Sequence, residues 1–309
     1  MTACSLDERE AIVAALCEPA ASISAKYFYD GRGSALFERI TRLPEYYPTR
    51  TEAAILREHG EHIAGRIGSA STIIELGAGN CQKARTLCEL VRPRHFVAVD
   101  ISADFVRACA SALQSALPAV DVRSVAADLT DNIRLPADLP RGARTVFYPG
   151  SSIGNFTPQA ALKLLRRMHR LCGAGGDVLI GVDLLKDIAV LDAAYNDAEG
   201  ITAAFNLNVL EHINRLTGAD FDLSQWQHQA FFNAPASRIE MHLQARTTLT
   251  VHWPHQQRRF ARGERIHTEN SYKYSPADFT ALLADAGFHD IRLWTDARRW
   301  FALFHARRA

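Results

Sequence analysis

The stretch IIELGAGNCQK, residues 73–83, sets an acid, two glycines and a lysine in close succession. Glu75 closes a short apolar run, Gly77 and Gly79 form a turn, and Lys83 follows in a predicted helix. Glycines at such a turn let the backbone come close to a ligand, and ligands of parallel sheets bind beyond the carboxyl ends of the strands. Asp100 ends the next apolar run, HFVAVDIS, where a carboxylate can accept from both hydroxyls of a ribose. Asp128, in AADL, ends a third run and is placed to meet an adenine amino group. A G-x-G turn alone is weak evidence, because glycines between strand and helix are often only turn chemistry. The third glycine of the dinucleotide fingerprint is absent, with Gln82 in its place, so nothing is shaped for a pyrophosphate and a nicotinamide cofactor is disfavoured.

A second group of residues lies outside this loop. Asn155, in PGSSIGNF, follows a fourth predicted strand, and its amide donates and accepts at once, which suits an amino-acid carboxylate and amine. In GERIHTENSYKY, residues 263–274, Glu269 and Ser271 point to the same side if the segment is a strand. On a solvated face that pair means nothing, and an exposed Glu is the commoner arrangement. In a pocket, a carboxylate and a hydroxyl together grip a small ligand that carries N–H groups. Asn in a GN pair is usually a turn former and Met241, in IEMHL, can be core filler, so no one of these residues is specific.

The elements that would carry these groups follow a rhythm. Residues 6–18 and 50–67 read as helices from apolar spacing of three and four. Short apolar strands at 71–80, 95–102, 121–129, 144–152 and 176–184 then alternate with helices at 82–91, 103–117 and 158–172. Such alternation predicts a parallel sheet with helices on both faces. A helix at 275–288 and a strand across 290–306 continue it, whereas residues 189–273 mix a helix with antiparallel strands. The expected division is therefore residues 55–188 with 274–309 as one domain, and 1–54 with 189–273 as another.

Bulk composition narrows the partner. With 35 Lys and Arg against 34 Asp and Glu, the net charge is +1, which gives no electrostatic footprint for nucleic acid or an anionic membrane. A small molecule is the expected partner. The start of the chain lacks a basic segment followed by an apolar core, and no apolar run is long enough to span a bilayer. The six cysteines, Cys4, Cys17, Cys81, Cys88, Cys109 and Cys172, form no C-x-x-C pair and no zinc spacing. Their scatter suggests a reducing, cytoplasmic setting; no metal and a monomeric chain are expected.

The E-x-G-x-G loop with its later acids resembles the S-adenosylmethionine loop of class I methyltransferases. More specifically, KYFYDGRGSALFERITRLPEYYPTRTE, ELGAGNCQK, YPGSSIGNF, IEMHL and IHTENSYKYS together resemble the histidine-specific Nα-methyltransferases of ergothioneine biosynthesis, across nearly the whole chain. That family trimethylates the α-amine of L-histidine to hercynine, with S-adenosylmethionine as co-substrate. The resemblance implies an α/β fold, a Rossmann-like class I methyltransferase sheet with a second α+β substrate-binding domain. It implies cofactor contacts from Tyr29, Gly77, Lys83, Asp100, Asp128 and Leu129. Tyr46, Asn155 and Tyr195 would hold the amino and carboxylate groups, with Gly150 and Ser152 in the same substrate turn. Tyr46 and Asn155 are the expected catalytic pair. Glu269 and Ser271 would bind the imidazole, with Met241 beside the ring. Ser152 stands where the family often has Thr, and His267 and Asn270 depart from the commonest surroundings of its TE-x-S segment. The alternatives are an N-methyltransferase of a related small amine, such as a tryptophan derivative or a thiohistidine, and a non-catalytic S-adenosylmethionine-binding protein.

Overall fold

The computed structural model describes residues 6–68, 72–129, 131 and 133–308; Cys4, and Ser71 at the head of the first predicted strand, lie outside them. Twelve strands are seen among the described residues: β1 Thr72–Leu76, β2 His95–Asp100, β3 Asp121–Ala126, β4 Thr145–Tyr148, β5 Asp177–Asp183, β6 Trp226–Asn233, β7 Arg238–Ala245, β8 Leu249–Trp253, β9 Gln256–Phe260, β10 Arg265–Tyr272, β11 Phe288–Thr295 and β12 Phe301–Arg308. The chain divides into two compact units, one of Pro48–Leu185 and Tyr272–Ala309, the other of Met1–Tyr47 and Lys186–Ser271. The breaks fall two to seven residues from the boundaries expected from composition.

The first unit is built on a seven-stranded sheet of order β11-β12-β5-β4-β1-β2-β3. β1 to β5 pair in parallel, while β12 runs antiparallel to both β5 and β11. Every residue of β1, β4 and β5 is buried, which is why they read as unbroken apolar runs rather than as alternating ones. Successive side chains leave opposite faces. Ile73, Phe96, Phe147 and Leu179 pack with Ile55, Ile63, Leu87 and Val106 of the helices Tyr47–Ile67, Gln82–Val91 and Ala103–Ala116. Ile74, Val97, Val146 and Ile180 pack with Leu165, Met168 and Phe279 of the helices Pro158–Cys172 and Pro276–Asp285. The α/β fold with a mostly parallel seven-stranded sheet is thus the one expected. The order reverses between β1 and β4, and the crevice beyond the carboxyl ends of such neighbours is where ligands bind.

Three strand readings need correction. β3 stops at Ala126, so Asp128 and Leu129 lie in the following loop. β4 stops at Tyr148, leaving Gly150 and Ser152 in a turn. The single strand expected over 290–306 is a hairpin of β11 and β12. Asp296 makes that reversal without Gly or Pro: Oδ1 accepts from the Trp300 and Phe301 amides at 2.7 and 3.0 Å, and Oδ2 from the Arg298 amide at 2.9 Å.

The second unit carries a three-stranded sheet, β10-β7-β6, and a β8–β9 hairpin. Its helices are Leu6–Cys17, Gly31–Ile40, Ile188–Tyr195 and Ile201–Thr217. Leu16, Phe28, Phe205, Val209, Trp226, Leu243 and Ile266 form its core. β6 went unread in the sequence, because WQHQAFFN mixes polar and aromatic residues with no clear period. No helix among the described residues is long and apolar enough to cross a membrane.

Candidate active site

The glycine turn after β1 is held from below and open above. Gly77 and Gly79 have φ of +66° and +51°, a region that a side chain makes strained. The carbonyl of Val99 accepts from the Gly77 and Ala78 amides at 2.8 and 3.1 Å. Asp100 then fixes the turn: Oδ2 accepts from the Gly79 amide at 3.0 Å, and Oδ1 from the Ser102 amide at 3.1 Å. A carboxylate offers about four lone-pair positions, so each oxygen keeps capacity for a ligand hydroxyl. A Cβ on Gly79 would meet nothing within 4 Å, so the turn has space above it.

Glu75, beneath the turn, is fully buried, and its Oε2 has no hydrogen-bond partner. Burial pushes its pKa well up; Lys83 pulls it back, while Glu52 and Asp100 push it further up. Glu75 is therefore held towards the neutral acid. Lys83 lies 2.5 Å from Oε2 of Glu52, a residue of the helix Tyr47–Ile67. Beyond β3, the Leu129 carbonyl accepts from Arg167 at 3.1 Å and its side chain packs against the core, which ties the loop carrying Asp128 to the helix Pro158–Cys172.

After β4 the chain makes a tight reversal. Gly150 has φ of +79° and Ser151 φ of +59°, and Ser152–Asn155 form a single 3-10 turn. A serine in left-handed backbone is unusual, and two bonds over-determine this one. Its Oγ accepts from the Asp183 amide at 2.8 Å, and its carbonyl from the Gly154 amide at 2.8 Å. Ser152 and Asn155 are left half-buried on this support. At the end of β5, Asp183 forms a buried ion pair with Lys273 at 2.7 Å, which pins the chain just after β10.

In the second unit, Phe37 brings two of the expected tyrosines together. Its ring makes edge contacts with Tyr29 at 5.7 Å and Tyr46 at 6.2 Å. Tyr195, at the end of the helix Ile188–Tyr195, donates from its hydroxyl to Ser271 Oγ on β10 at 2.7 Å. Ser271 is buried and Glu269 half-buried. Along the strand Arg265 is exposed, Glu269 and Asn270 are half-buried, and Ser271 and Tyr272 are buried, so Glu269 is partly shielded from water. Met241 is buried in the apolar core of this unit, on the face of β7 shared with Ile239 and Leu243.

One cluster escaped sequence reasoning altogether. Glu240 and His242 of β7 and His267 of β10 have ligand atoms within 4.8 Å of one another. The two imidazole rings meet edge to face at 5.0 Å, His242 Nε2 lies 2.9 Å from Glu240 Oε2, and His267 Nε2 lies 3.0 Å from Asn270 Oδ1. Burial holds both histidines below their ordinary pKa. Burial also works against the Glu240 carboxylate, but bonds from His242, Arg238 and Asn233 outweigh it and bring its pKa down to about 2. Two imidazoles and a carboxylate are a zinc-type donor set. Here, however, Arg238 and Asn233 both donate to Glu240 Oε1 at 2.8 Å, so a guanidinium already matches the charge a cation would use. Glu52 was missed as well, because its partner Gly150 is 98 residues away and no local pattern marks the pair.

Comparison with known proteins gives the family. The chain is 40% identical over 302 residues to the histidine N-alpha-methyltransferase of Mycolicibacterium smegmatis, covering 96% of this chain and 93% of that protein. It is 42% identical to the histidine N-alpha-methyltransferase of Mycobacterium tuberculosis, over 91% and 89% of the two chains. To the ergothioneine biosynthesis protein 1 of Neurospora crassa it is 30% identical over 86% of this chain, which spans 31% of that longer protein. The profile of the family described as histidine-specific methyltransferase, SAM-dependent, matches residues 8–308, and the chain belongs to that family of S-adenosylmethionine-dependent methyltransferases.

Proposed function

We propose that the chain transfers methyl groups from S-adenosylmethionine to the α-amine of L-histidine, three times, giving hercynine for ergothioneine biosynthesis. The observation that carries this reading is the end of β10, where buried Ser271 is bonded to Tyr195 and half-buried Glu269 lies two residues before it, in a chain of the histidine-specific family. A half-buried carboxylate and a buried hydroxyl suit an imidazole, whose ring offers both an N–H donor and a nitrogen acceptor. A ligand lacking those groups would forgo a bond to a partly shielded carboxylate, a penalty of about 1.5–3 kcal/mol.

The glycine turn fits the proposed co-substrate. Space above Gly79, the remaining lone pairs of Asp100 and the lack of a phosphate cradle suit an adenosine without phosphates. Asp100 would hold the ribose hydroxyls, Asp128 and Leu129 the adenine, and Tyr29, Gly77 and Lys83 the amino-acid tail. When bound, S-adenosylmethionine supplies an electrophilic methyl on a sulfonium. The protein's work is then to align and to exclude water, and alignment alone contributes about 7–11 kcal/mol in favourable cases. Asn155 and Tyr195 would hold the histidine carboxylate and amine, with Gly150 and Ser152 shaping that turn, and Met241 would back the imidazole site. Tyr46 would orient the amine and relay its proton to water, releasing its own phenolic proton as it takes the amine's, directly or through water shared with Tyr29. Only the neutral amine has a lone pair, so turnover rises with pH across the amine's titration.

We also read the chain as a monomer and as cytoplasmic, the latter in keeping with the five free cysteines among the described residues. A mass-spectrometric time course with histidine and excess S-adenosylmethionine tests the proposal. Mono-, di- and then trimethylated histidine should appear in turn. A product that stalls at one methyl contradicts the trimethylation, and no product at all contradicts the reading.

A further inference from the structure

Glu52 has no part in the account above, yet it joins two of its elements. It is fully buried, and a carboxylate out of water needs its charge matched and its lone pairs filled. Both needs are met by groups of the proposed site. Lys83 Nζ stands 2.5 Å from Oε2, and the Gly150 amide donates to Oε1 at 2.9 Å and Oε2 at 3.1 Å.

The seat is shaped for this side chain. A Cβ at Gly181, on β5, would stand 2.2 Å from Glu52 Oε1, and one at Gly150 would stand 3.0 Å from Lys83 Nζ. Bare backbone at both positions is therefore what admits the carboxylate and the ammonium together. An ammonium has three donors, and the one given to Glu52 restricts where the other two point. The Lys83 side chain remains 29% exposed, so the lysine is anchored by Glu52 without being sealed from solvent. The same carboxylate holds the first residue of the Gly150–Asn155 reversal.

We infer that Glu52 is a positioning residue shared by the lysine that grips the co-substrate and the turn that presents Asn155. The inference rests on the roles proposed above for Lys83 and Asn155. Its consequence is that one substitution, remote from both ligands, loosens the hold on each. A carboxylate that served packing alone would not couple them.

S-adenosylhomocysteine is the probe, with affinity measured by calorimetry on the full chain. Glu52→Gln keeps the shape and removes the charge. It should weaken binding about tenfold, the scale of one lost hydrogen bond to a charged group, and, because its NH2 must face the Gly150 amide, lower the melting temperature by a few degrees. It should also raise KM for histidine more than it lowers kcat. Lys83→Ala should weaken binding too, and the double variant should bind no more weakly than Lys83→Ala alone, because Glu52 acts through the lysine. Wild-type affinity in Glu52→Gln, or losses that add in the double variant, would overturn the inference. Should Glu52→Gln not fold, Glu52→Asp keeps the charge but cannot span both partners. It should lose several-fold in affinity, and a Glu52→Asp variant that binds like wild type overturns the inference equally. If wild-type protein itself does not bind S-adenosylhomocysteine, the proposed function fails first, which separates the two results.

Discussion

The Tyr195 hydroxyl donates to Ser271 Oγ at 2.7 Å, across 76 residues of chain. With the tyrosine as donor, the proposed function has the serine hydroxyl's own hydrogen meet an imidazole nitrogen. The bond ties a helix end to a strand, with Glu269 two residues away on the same strand.

Removing the donor tests this lock. Tyr195→Phe keeps the ring and frees the serine hydroxyl to rotate. KM for histidine should rise several-fold to about tenfold, on the scale of one neutral hydrogen bond. Affinity for S-adenosylhomocysteine should not change, because the co-substrate groups are elsewhere. Steady-state kinetics with calorimetry reads both, and an unchanged KM would contradict the assigned role.

Asp100 holds the Gly79 and Ser102 amides, and the proposed function gives its remaining lone pairs to a ribose. Asp100→Asn turns an NH2 towards one of those amides, so a charge-assisted bond is replaced by two facing donors. The expected loss in S-adenosylhomocysteine affinity is about tenfold or more, with a fall of a few degrees in melting temperature. Calorimetry and thermal melts check this, and a variant with full affinity would move the ribose site elsewhere.

Glu240 predicts an acid-sensitive fold. Its pKa is about 2 against an ordinary 4.5, so the stability it contributes is present above about 4.5 and is lost as pH falls towards 2. The shift corresponds to about 3 kcal/mol. His242 and His267, both held low by burial, act in the same direction, since acid must charge them against the folded state. Glu240→Gln should therefore lower the melting temperature clearly at pH 7 and hardly at pH 2.5. Equal losses at both pH values would show that packing, rather than charge, makes Glu240 matter.

How much of this was visible in the sequence depended on distance along the chain. The glycine turn and Asp100 were legible because strand, turn and helix follow one another, and their bonds span only about 20 residues. β11 and β12 merged into one predicted strand because Asp296 replaces the usual Gly or Pro signal with side-chain acceptors. Glu52 and the Glu240, His242 and His267 cluster stayed hidden, since their partners come together only once separate elements pack. Glu269 and Ser271 could be paired by the two-residue period of a strand, but whether that side was covered could not be read from the period.

The most direct measurement of the central claim is a mass-spectrometric assay with S-adenosylmethionine and a panel of free amino acids, on wild type and on Glu269→Ala. The account predicts that wild type methylates histidine in preference to the rest of the panel, and that the variant loses about 30-fold or more of that activity while still binding S-adenosylhomocysteine. A preference for another amino acid, or a variant that methylates histidine as wild type does, would contradict it.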